Sequence, residues 1–267
     1  LLLTGSIVQE EEDVKVSTYF NYTKQKYKIP NDIPFHSYDL FERKARSPQY
    51  LLPKKARGFL KSVSEIISLS PIRVMVVAVK KDNIRKFYSI PPKHRFSPTS
   101  DKFGFKDLPY DILAKELFFW FARYLSRQKH ALGHIIAEAR GYSDHALLQT
   151  FLDAQEEARF SSNSSENRTA SKFKKRVSSI AFEKKNGLRG TLEMVDLISY
   201  FSYQFLQKNL RPFTKSGGQL FWKHIKEKVE KQKIQAIRGA GFQRLVPYVK
   251  ARKLANYTTR MKSRKSN

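Results

Sequence analysis

Strand-like and helix-like segments alternate along residues 1–208 of this chain, and this alternation restricts its fold more than any other feature. Apolar runs rich in β-branched residues predict strands at 1–8, 72–79, 134–138 and 176–182. Apolar residues that recur every three or four positions predict helices at 10–27, 56–69, 110–130, 143–160 and 192–208. Such alternation is typical of α/β proteins, in which helices cover a sheet. We therefore predict an α/β domain over residues 1–208, with 72–79 as a central strand buried on both faces.

Residues 209–267 differ in composition and form a predicted basic, mainly helical extension. Between Arg211 and Asn267 the only acidic residues are Glu227 and Glu230. Apolar spacing predicts one helix at about 219–237, followed by a basic tail. Aromatic residues lie among the cations, a mixture typical of surfaces that follow a nucleic-acid backbone and stack on bases. A small helical core is the alternative for the aromatic residues Phe221 and Trp222. The residues predicted to bind nucleic acid are Lys223, Lys226, Arg238, Arg244, Lys250, Arg252 and Lys253.

The net charge of the chain indicates the class of its partner. The sequence has 51 Lys and Arg against 24 Asp and Glu, a formal charge of +27. Because a soluble surface needs a net charge of only about 2 to 8 in magnitude, this surplus favours a polyanion. We predict nucleic acid, ahead of an anionic membrane or an acidic protein. Apolar residues make up 40% of the chain, which is enough for a core and excludes disorder throughout.

Several classes of site are excluded by what the sequence lacks. It contains no cysteine, so it has no disulfide scaffold, thiolate metal site or cysteine nucleophile. The absence of cysteine also fits a cytoplasmic location. No stretch approaches the roughly 18 consecutive apolar residues of a membrane span, so we expect no membrane partner. Neither a nucleotide-binding glycine loop nor a serine-nucleophile elbow is present.

Two carboxylates stand out by their positions in the predicted elements. Glu138 ends a strand, and α/β proteins place ligand groups at the carboxyl ends of strands. The alternative is an exposed glutamate paired with Arg140. Asp196 lies in the apolar helix at 192–208, where a buried carboxylate needs a cation or hydrogen-bond partners. The alternative is a narrow polar stripe along that helix.

Short stretches of the sequence, taken in order, resemble one known family. They are LTGSIV at 3–8, FHSYD at 35–39, IIAEARG at 135–141 and GTLEMVDLISY at 190–200. Their order and spacing are similar to those of the bacterial and phage proteins of domain-of-unknown-function family 3800, which look ribonuclease-H-like. In that family an Asp-Glu-Ser-Gly segment precedes the first of these strands, and a helix of the type GLQLADLIAY closes the domain. The resemblance implies a ribonuclease-H-like mixed sheet flanked by helices.

Carried over residue by residue, the resemblance implies that Glu138 is the acid at an inner strand end and Asp196 the acid on the closing helix. The weaker candidates are Asp144 as a further metal ligand and, as supporting groups, His36, Asp39 and Arg140. The family's opening Asp is missing from this sequence. We expect that Asp, and the domain's first strand, upstream of Leu1; loss of the acid is the alternative.

The resemblance implies a metal-dependent nuclease. Converging carboxylates need a counter-charge, and two Mg²⁺ or Mn²⁺ ions about 3.5–4 Å apart would supply it and activate water against a phosphodiester. Arg140 would bind a phosphate beside them. The expected substrate is RNA, DNA or an RNA–DNA hybrid, in phage defence or mobile-element biology, with a protein or guide RNA as a further partner. The rivals are a non-catalytic nucleic-acid-binding subunit of a ribonucleoprotein and a structural ribosome-associated protein.

Two polar stretches are predicted to be loops. Residues 89–109 contain four prolines and are expected to form a lid or a partner site. Residues 161–171 are low in complexity and are expected to be disordered or to form a flexible lid.

Overall fold

The computed structural model describes residues 1–33, 35–41, 51–78, 84–85, 108–156, 165–185, 189–207 and 215–236. The described strands are β1 (Leu2–Ile7), β2 (Arg73–Ala78), β3 (Gly133–Glu138) and β4 (Val177–Glu183). The described helices are α1 (Glu10–Lys26), α2 (Ser37–Phe41), α3 (Pro53–Leu69), α4 (Leu108–Leu125), α5 (Tyr142–Glu156), α6 (Ser165–Arg176), α7 (Gly190–Gln207) and α8 (Lys215–Ala236). The predicted α/β class is confirmed, and the described part of the chain is mostly helical.

Strands β1 and β2 form an antiparallel pair at the centre of the larger core. Their register runs from Leu2 opposite Ala78 to Ile7 opposite Arg73. Five of the six residues of β2 are buried, as its run of β-branched residues predicts. Helices α4, α7 and α8 pack on this pair, α1 and α3 pack against α7 and α8, and aromatic residues fill the space between them. The rings of Phe20, Phe35 and Phe59 contact one another there with centroids 5.7–6.1 Å apart.

Strands β3 and β4 form a second, parallel pair with a core of its own. Their register runs from Gly133 opposite Val177 to Glu138 opposite Glu183. The carboxyl ends of both strands therefore lie at the same edge of the sheet. Helices α4, α5 and α6 contribute the aromatic residues of this core, in which Phe173 contacts Phe118, Phe119 and Phe151.

The sheet differs from the predicted single mixed sheet. Within the residues that the structure describes, no strand joins the β1–β2 pair to the β3–β4 pair. Strand β2 is buried by helices and by β1 rather than by strands on both of its edges. A run of β-branched residues predicts a buried strand. It does not show whether neighbouring strands or packed helices bury that strand.

The structure describes part of one predicted loop and almost none of the other. Residues 165–171 belong to helix α6, so the prediction of disorder is wrong for them. The physical reason is that Ala170 and Phe173, three positions apart, are both completely buried, which fastens a polar helix to the core. The predicted loop at 89–109 lies outside the described residues except for its last two positions, which begin α4.

Helix α8 shares the larger core. Phe221 and Ile225 are completely buried and Trp222 is nearly so, against α3, α7 and β2. The indole of Trp222 stacks on Phe205 of α7 with the ring centroids 4.3 Å apart. These aromatic residues therefore form core rather than a base-stacking surface. Among the described residues no helix is both long enough and apolar enough to cross a membrane.

Candidate functional site

Lys185 joins the two acids that the sequence singles out. Its ammonium nitrogen lies 3.2 Å from Glu138 Oε1 and 3.5 Å from Asp196 Oδ1. The Lys185 side chain is only 3% exposed, whereas those of Glu138 and Asp196 are 20% and 25% exposed. The structure thus brings Glu138 and Asp196 together around one buried cation, at the solvent-accessible edge of the β3–β4 sheet.

Three different elements position these groups. Glu138 is the last residue of β3, and Lys185 follows the end of β4 by two residues. The pairing of the two strands continues past their ends, because Ala139 N–H donates to Glu183 O at 2.8 Å. Asp196 projects from the second turn of α7. The carboxyl edge of a parallel strand pair and helix α7, which packs on β1, therefore build the site together.

The backbone just before α2 completes the site. Lys185 Nζ donates to Phe35 O at 3.2 Å, and Ser37 N–H donates to Asp196 Oδ2 at 2.7 Å. The predicted supporting residue His36 lies between these two backbone groups, with an exposed side chain. Asp39 N–H bonds to His36 O in the first turn of the helix. The FHSYD stretch thus reaches the site mainly through its backbone.

Arg140 binds Glu138 on the side that faces solvent. Its Nη2 and Nε donate to Glu138 Oε2 at 2.7 and 3.2 Å, and its side chain is 59% exposed. Partial burial favours the neutral form of Glu138, but Arg140 and Lys185 outweigh it and lower the pKa of this carboxyl. Both interpretations of Glu138 therefore hold: it is paired with Arg140, and it also faces Asp196 across Lys185.

Asp144 holds the loop that carries Arg140. Its two carboxylate oxygens accept the backbone N–H groups of Arg140 and Gly141 at 2.8 and 3.0 Å. Gly141 has a φ of +67°, a left-handed conformation that glycine adopts without strain, and the chain turns there into α5. Asp144 is the third residue of α5, and its side chain reaches back to cap the N–H groups that precede the helix, next to the site.

Tyr110 is a site neighbour that the sequence analysis did not identify. It lies near the start of α4, where its electrostatic neighbours include Arg140, Asp144 and Glu138. Burial raises the pKa of Tyr110 with help from the carboxylates, against the opposing effect of Arg140. At neutral pH its hydroxyl is therefore a hydrogen-bond donor that remains protonated.

A second buried ion pair supports the helix that carries Asp196. Lys24 Nζ of α1 and Glu193 Oε2 of α7 are 2.7 Å apart, and both side chains are completely buried. Burial raises the pKa of Glu193 even though Lys24 acts in the opposite direction. Glu193 precedes Asp196 by almost one helical turn, so the polar stripe on α7 has one end in the core and one end in the site.

The residues predicted to bind nucleic acid are only partly described. Lys223 and Lys226 are exposed on α8. Arg238, Arg244, Lys250, Arg252 and Lys253 lie outside the described residues.

The chemistry of the donors is suited to a hard cation. Glu138 and Asp196 offer carboxylate oxygens on either side of one point, and Mg²⁺ and Mn²⁺ prefer such ligands. Lys185 Nζ lies at that point, so a divalent ion would have to replace the ammonium there. No group of three or more His, Cys, Asp and Glu that could hold an ion occurs in the described part of the chain. Glu138 and Asp196 are thus the two carboxylates that would hold an ion, and the metal site remains a prediction.

Lys185 is the central group that the sequence analysis missed. The chain has 51 Lys and Arg residues, so one more lysine after a strand carries no signal by itself. A usable signal is its position two residues after the strand that pairs with the Glu138 strand. Comparisons of this chain with protein families, with curated proteins and with solved structures found no match.

Proposed function

We propose that this protein is a nuclease that hydrolyses phosphodiester bonds of RNA, DNA or an RNA–DNA hybrid at Glu138 and Asp196, with a divalent cation. The observation that carries the proposal is the convergence of these two carboxylates, 58 positions apart in the chain, on one point at the carboxyl edge of β3 and β4. The resemblance to family 3800 and its ribonuclease-H-like fold belongs to the same proposal. So do a cytoplasmic location and a protein or guide-RNA partner.

The chain's own residues have distinct tasks in this proposal. Glu138 and Asp196 hold the cation, and Ser37 N–H fixes the second oxygen of Asp196. Lys185 neutralises the two carboxylates when no cation is bound there. Arg140, which is more than half exposed, binds a non-bridging phosphate oxygen. When bound, Mg²⁺ or Mn²⁺ would lower the pKa of a water molecule and would neutralise negative charge on the leaving oxygen.

One observation favours a second candidate function, a non-catalytic nucleic-acid-binding subunit. Lys185 already neutralises the carboxylate pair and has a third partner in Phe35 O. A site that keeps its own ammonium needs no metal and has no activated water. In that case the charge of +27 alone accounts for nucleic-acid binding.

The test is a cleavage and binding assay on the full chain. Labelled RNA, DNA and hybrid are incubated with Mg²⁺, Mn²⁺ or EDTA, using the wild type, Glu138→Gln and Asp196→Asn. The matched controls are Glu65→Gln and Asp32→Asn, which make the same chemical changes at exposed positions outside the cluster of Glu138, Lys185 and Asp196. Salt-dependent binding is measured in EDTA with the same substrates.

The nuclease predicts cleavage that requires metal, that both site variants lose and that both controls keep, while binding persists in all five proteins. Binding without cleavage in any metal would overturn the nuclease and leave the binding subunit. Absence of both binding and cleavage would overturn both functions.

A further inference from the structure

Two stretches without acidic residues meet at the amino-terminal edge of the β3–β4 sheet. Residues 117–137 contain no Asp or Glu and run from α4 through a turn into β3. Residues 167–182 also contain none and run from α6 into β4. Because β3 and β4 are parallel, with an irregularity of one residue where they begin, both stretches enter the sheet side by side. This edge is opposite to the one that carries Glu138.

Direct contacts hold the two stretches together. Arg176, the last residue of α6, donates from Nη1 to Ala131 O at 3.1 Å. At the start of the two strands, Ser178 Oγ of β4 donates to Gly133 O of β3 at 3.0 Å. The end of α6 and the turn after α4 therefore form one continuous surface.

This surface, which we call the amino-edge patch, presents five exposed cations. They are Arg127, Lys129, Lys172, Lys174 and Lys175. The imidazole of His130 is exposed beside them. Glu156, at the end of α5, flanks this surface because Gln155 Nε2 donates to Val177 O at 3.3 Å, and Glu157 follows Glu156 in the sequence. Two acids against five cations leave an excess of positive charge.

Favourable interactions of cations with helix carboxyl ends explain only some of these five positions. Cations in the last turn of a helix interact favourably with its terminal carbonyl groups, and Lys174 and Lys175 are in the last turn of α6. Arg127 and Lys129 come after the last residue of α4. Like charges gathered at one edge of a sheet repel each other, and this repulsion is relieved when an anion binds.

We propose that the amino-edge patch binds the phosphate backbone of nucleic acid and is a second contact surface for the substrate. The inference deepens the proposed function and rests on it for the identity of the polyanion. The patch lies one strand length from Glu138, which is about 16 Å at about 3.3 Å per residue. A duplex that rises about 3.4 Å per base pair would therefore extend about five base pairs between the two.

The test compares two variants that lose the same four charges. The patch variant carries Arg127→Gln, Lys129→Gln, Lys174→Gln and Lys175→Gln. The control carries Lys54→Gln, Lys55→Gln, Arg57→Gln and Lys61→Gln, all exposed on α3 in the other core. Circular dichroism and thermal melting verify that both fold. Fluorescence anisotropy in EDTA then measures the Kd for single-stranded and duplex RNA and DNA over a range of KCl concentrations.

We expect the patch variant to bind nucleic acid at least about tenfold more weakly at low salt. The slope of log Kd against log salt should decrease by the amount that corresponds to the loss of about two to four phosphate contacts. The control should keep most of the wild-type slope. Equal losses in the two variants would overturn the patch while leaving nucleic-acid binding, and hence the proposed function, intact. If the patch variant binds more weakly as expected but no protein cleaves any substrate, the patch proposal is supported and the nuclease proposal is overturned.

A parallel arm uses vesicles of phosphatidylserine and phosphatidylcholine. Loss of vesicle binding in the patch variant, with unchanged nucleic-acid binding, would overturn the proposal and assign the surface to an anionic membrane. A wild type that binds no nucleic acid in any of these titrations would overturn the patch together with the proposed function.

Discussion

Lys24 and Glu193, 169 positions apart in the chain, form a 2.7 Å ion pair that is completely buried between α1 and α7. Lys24 also lies over the face of Phe35, with its nitrogen 5.9 Å from the ring centroid. Phe35 O in turn accepts a hydrogen bond from Lys185. The buried pair thus connects the core to the site through one residue, so its loss should affect both stability and the position of the carboxylates.

The first prediction concerns this pair. Lys24→Met and Glu193→Leu should each lower the free energy of unfolding by about 3–5 kcal/mol, because each leaves one charged group buried without its partner. The double variant should regain most of that loss, since two apolar side chains of similar volume fill the same space. Urea unfolding of the four proteins measures the coupling. Losses that simply add in the double variant would contradict the prediction.

A second prediction concerns Gly190, the first residue of α7. A Cβ at this position would lie 2.9 Å from both Cα and O of Ser17 on α1, and backbone atoms cannot move aside cheaply. Gly190→Ala should therefore destabilise the protein by about 1–3 kcal/mol and weaken any activity that depends on Asp196. Gly5→Ala is the matched control, because its Cβ would meet only side-chain ends at 3.3 and 3.4 Å. If thermal melting shows equal losses of stability for Gly190→Ala and Gly5→Ala, the close contact of Gly190 with Ser17 is not the cause of the destabilisation.

The sequence predicts local elements well because their signals are local. The β-branched run of β2 and the apolar spacing of α3 and α7 each depend on neighbouring residues only, and all three elements are found. The arrangement of the strands depends on which edges pair, and a one-dimensional pattern of burial does not contain that information. This is why two separate strand pairs replace the predicted single sheet among the described residues.

The third prediction distinguishes a cap from a metal ligand at Asp144. Because its oxygens accept the N–H groups of Arg140 and Gly141, Asp144→Ala should cost about 1 kcal/mol of stability. Asp144→Asn, which keeps one of the two accepting oxygens at the same place but is a weaker ligand for a divalent ion, should restore much of that stability and also any cleavage activity. Urea unfolding and the cleavage assay are measured on the same samples. An Asn variant that is stable but inactive would make Asp144 a ligand.

The candidate site was predicted in part for a similar reason. Glu138 and Asp196 are conspicuous because Glu138 ends a strand, where α/β proteins place ligand groups, and Asp196 lies within an apolar helix. Lys185, the cation between them, is one of many in a chain with a charge of +27, so only its position in space identifies it. Asp196 was predicted to need a cation or hydrogen-bond partners, and the structure supplies both, in Lys185 and Ser37.

The last prediction is a pH dependence of stability at Glu138. Burial opposes its ionisation, but Arg140 and Lys185 outweigh burial, so the pKa of Glu138 is lower in the folded state than the ordinary value of about 4.3. Ionised Glu138 therefore stabilises the fold at pH values above that ordinary value, and this contribution is lost as pH falls through the lowered pKa.

Glu138→Gln should accordingly be less stable than the wild type at pH 7, and the difference should shrink as the pH is lowered from about 5 to 3. Glu65→Gln, at an exposed position on α3, is the matched control. Urea unfolding across this pH range provides the measurement, and Lys185→Gln should flatten the wild-type profile because one of the two cations that hold Glu138 ionised is removed. A difference that grows toward acid pH would mean that Glu138 is destabilised by its burial, and that Lys185 and Arg140 do not compensate for it.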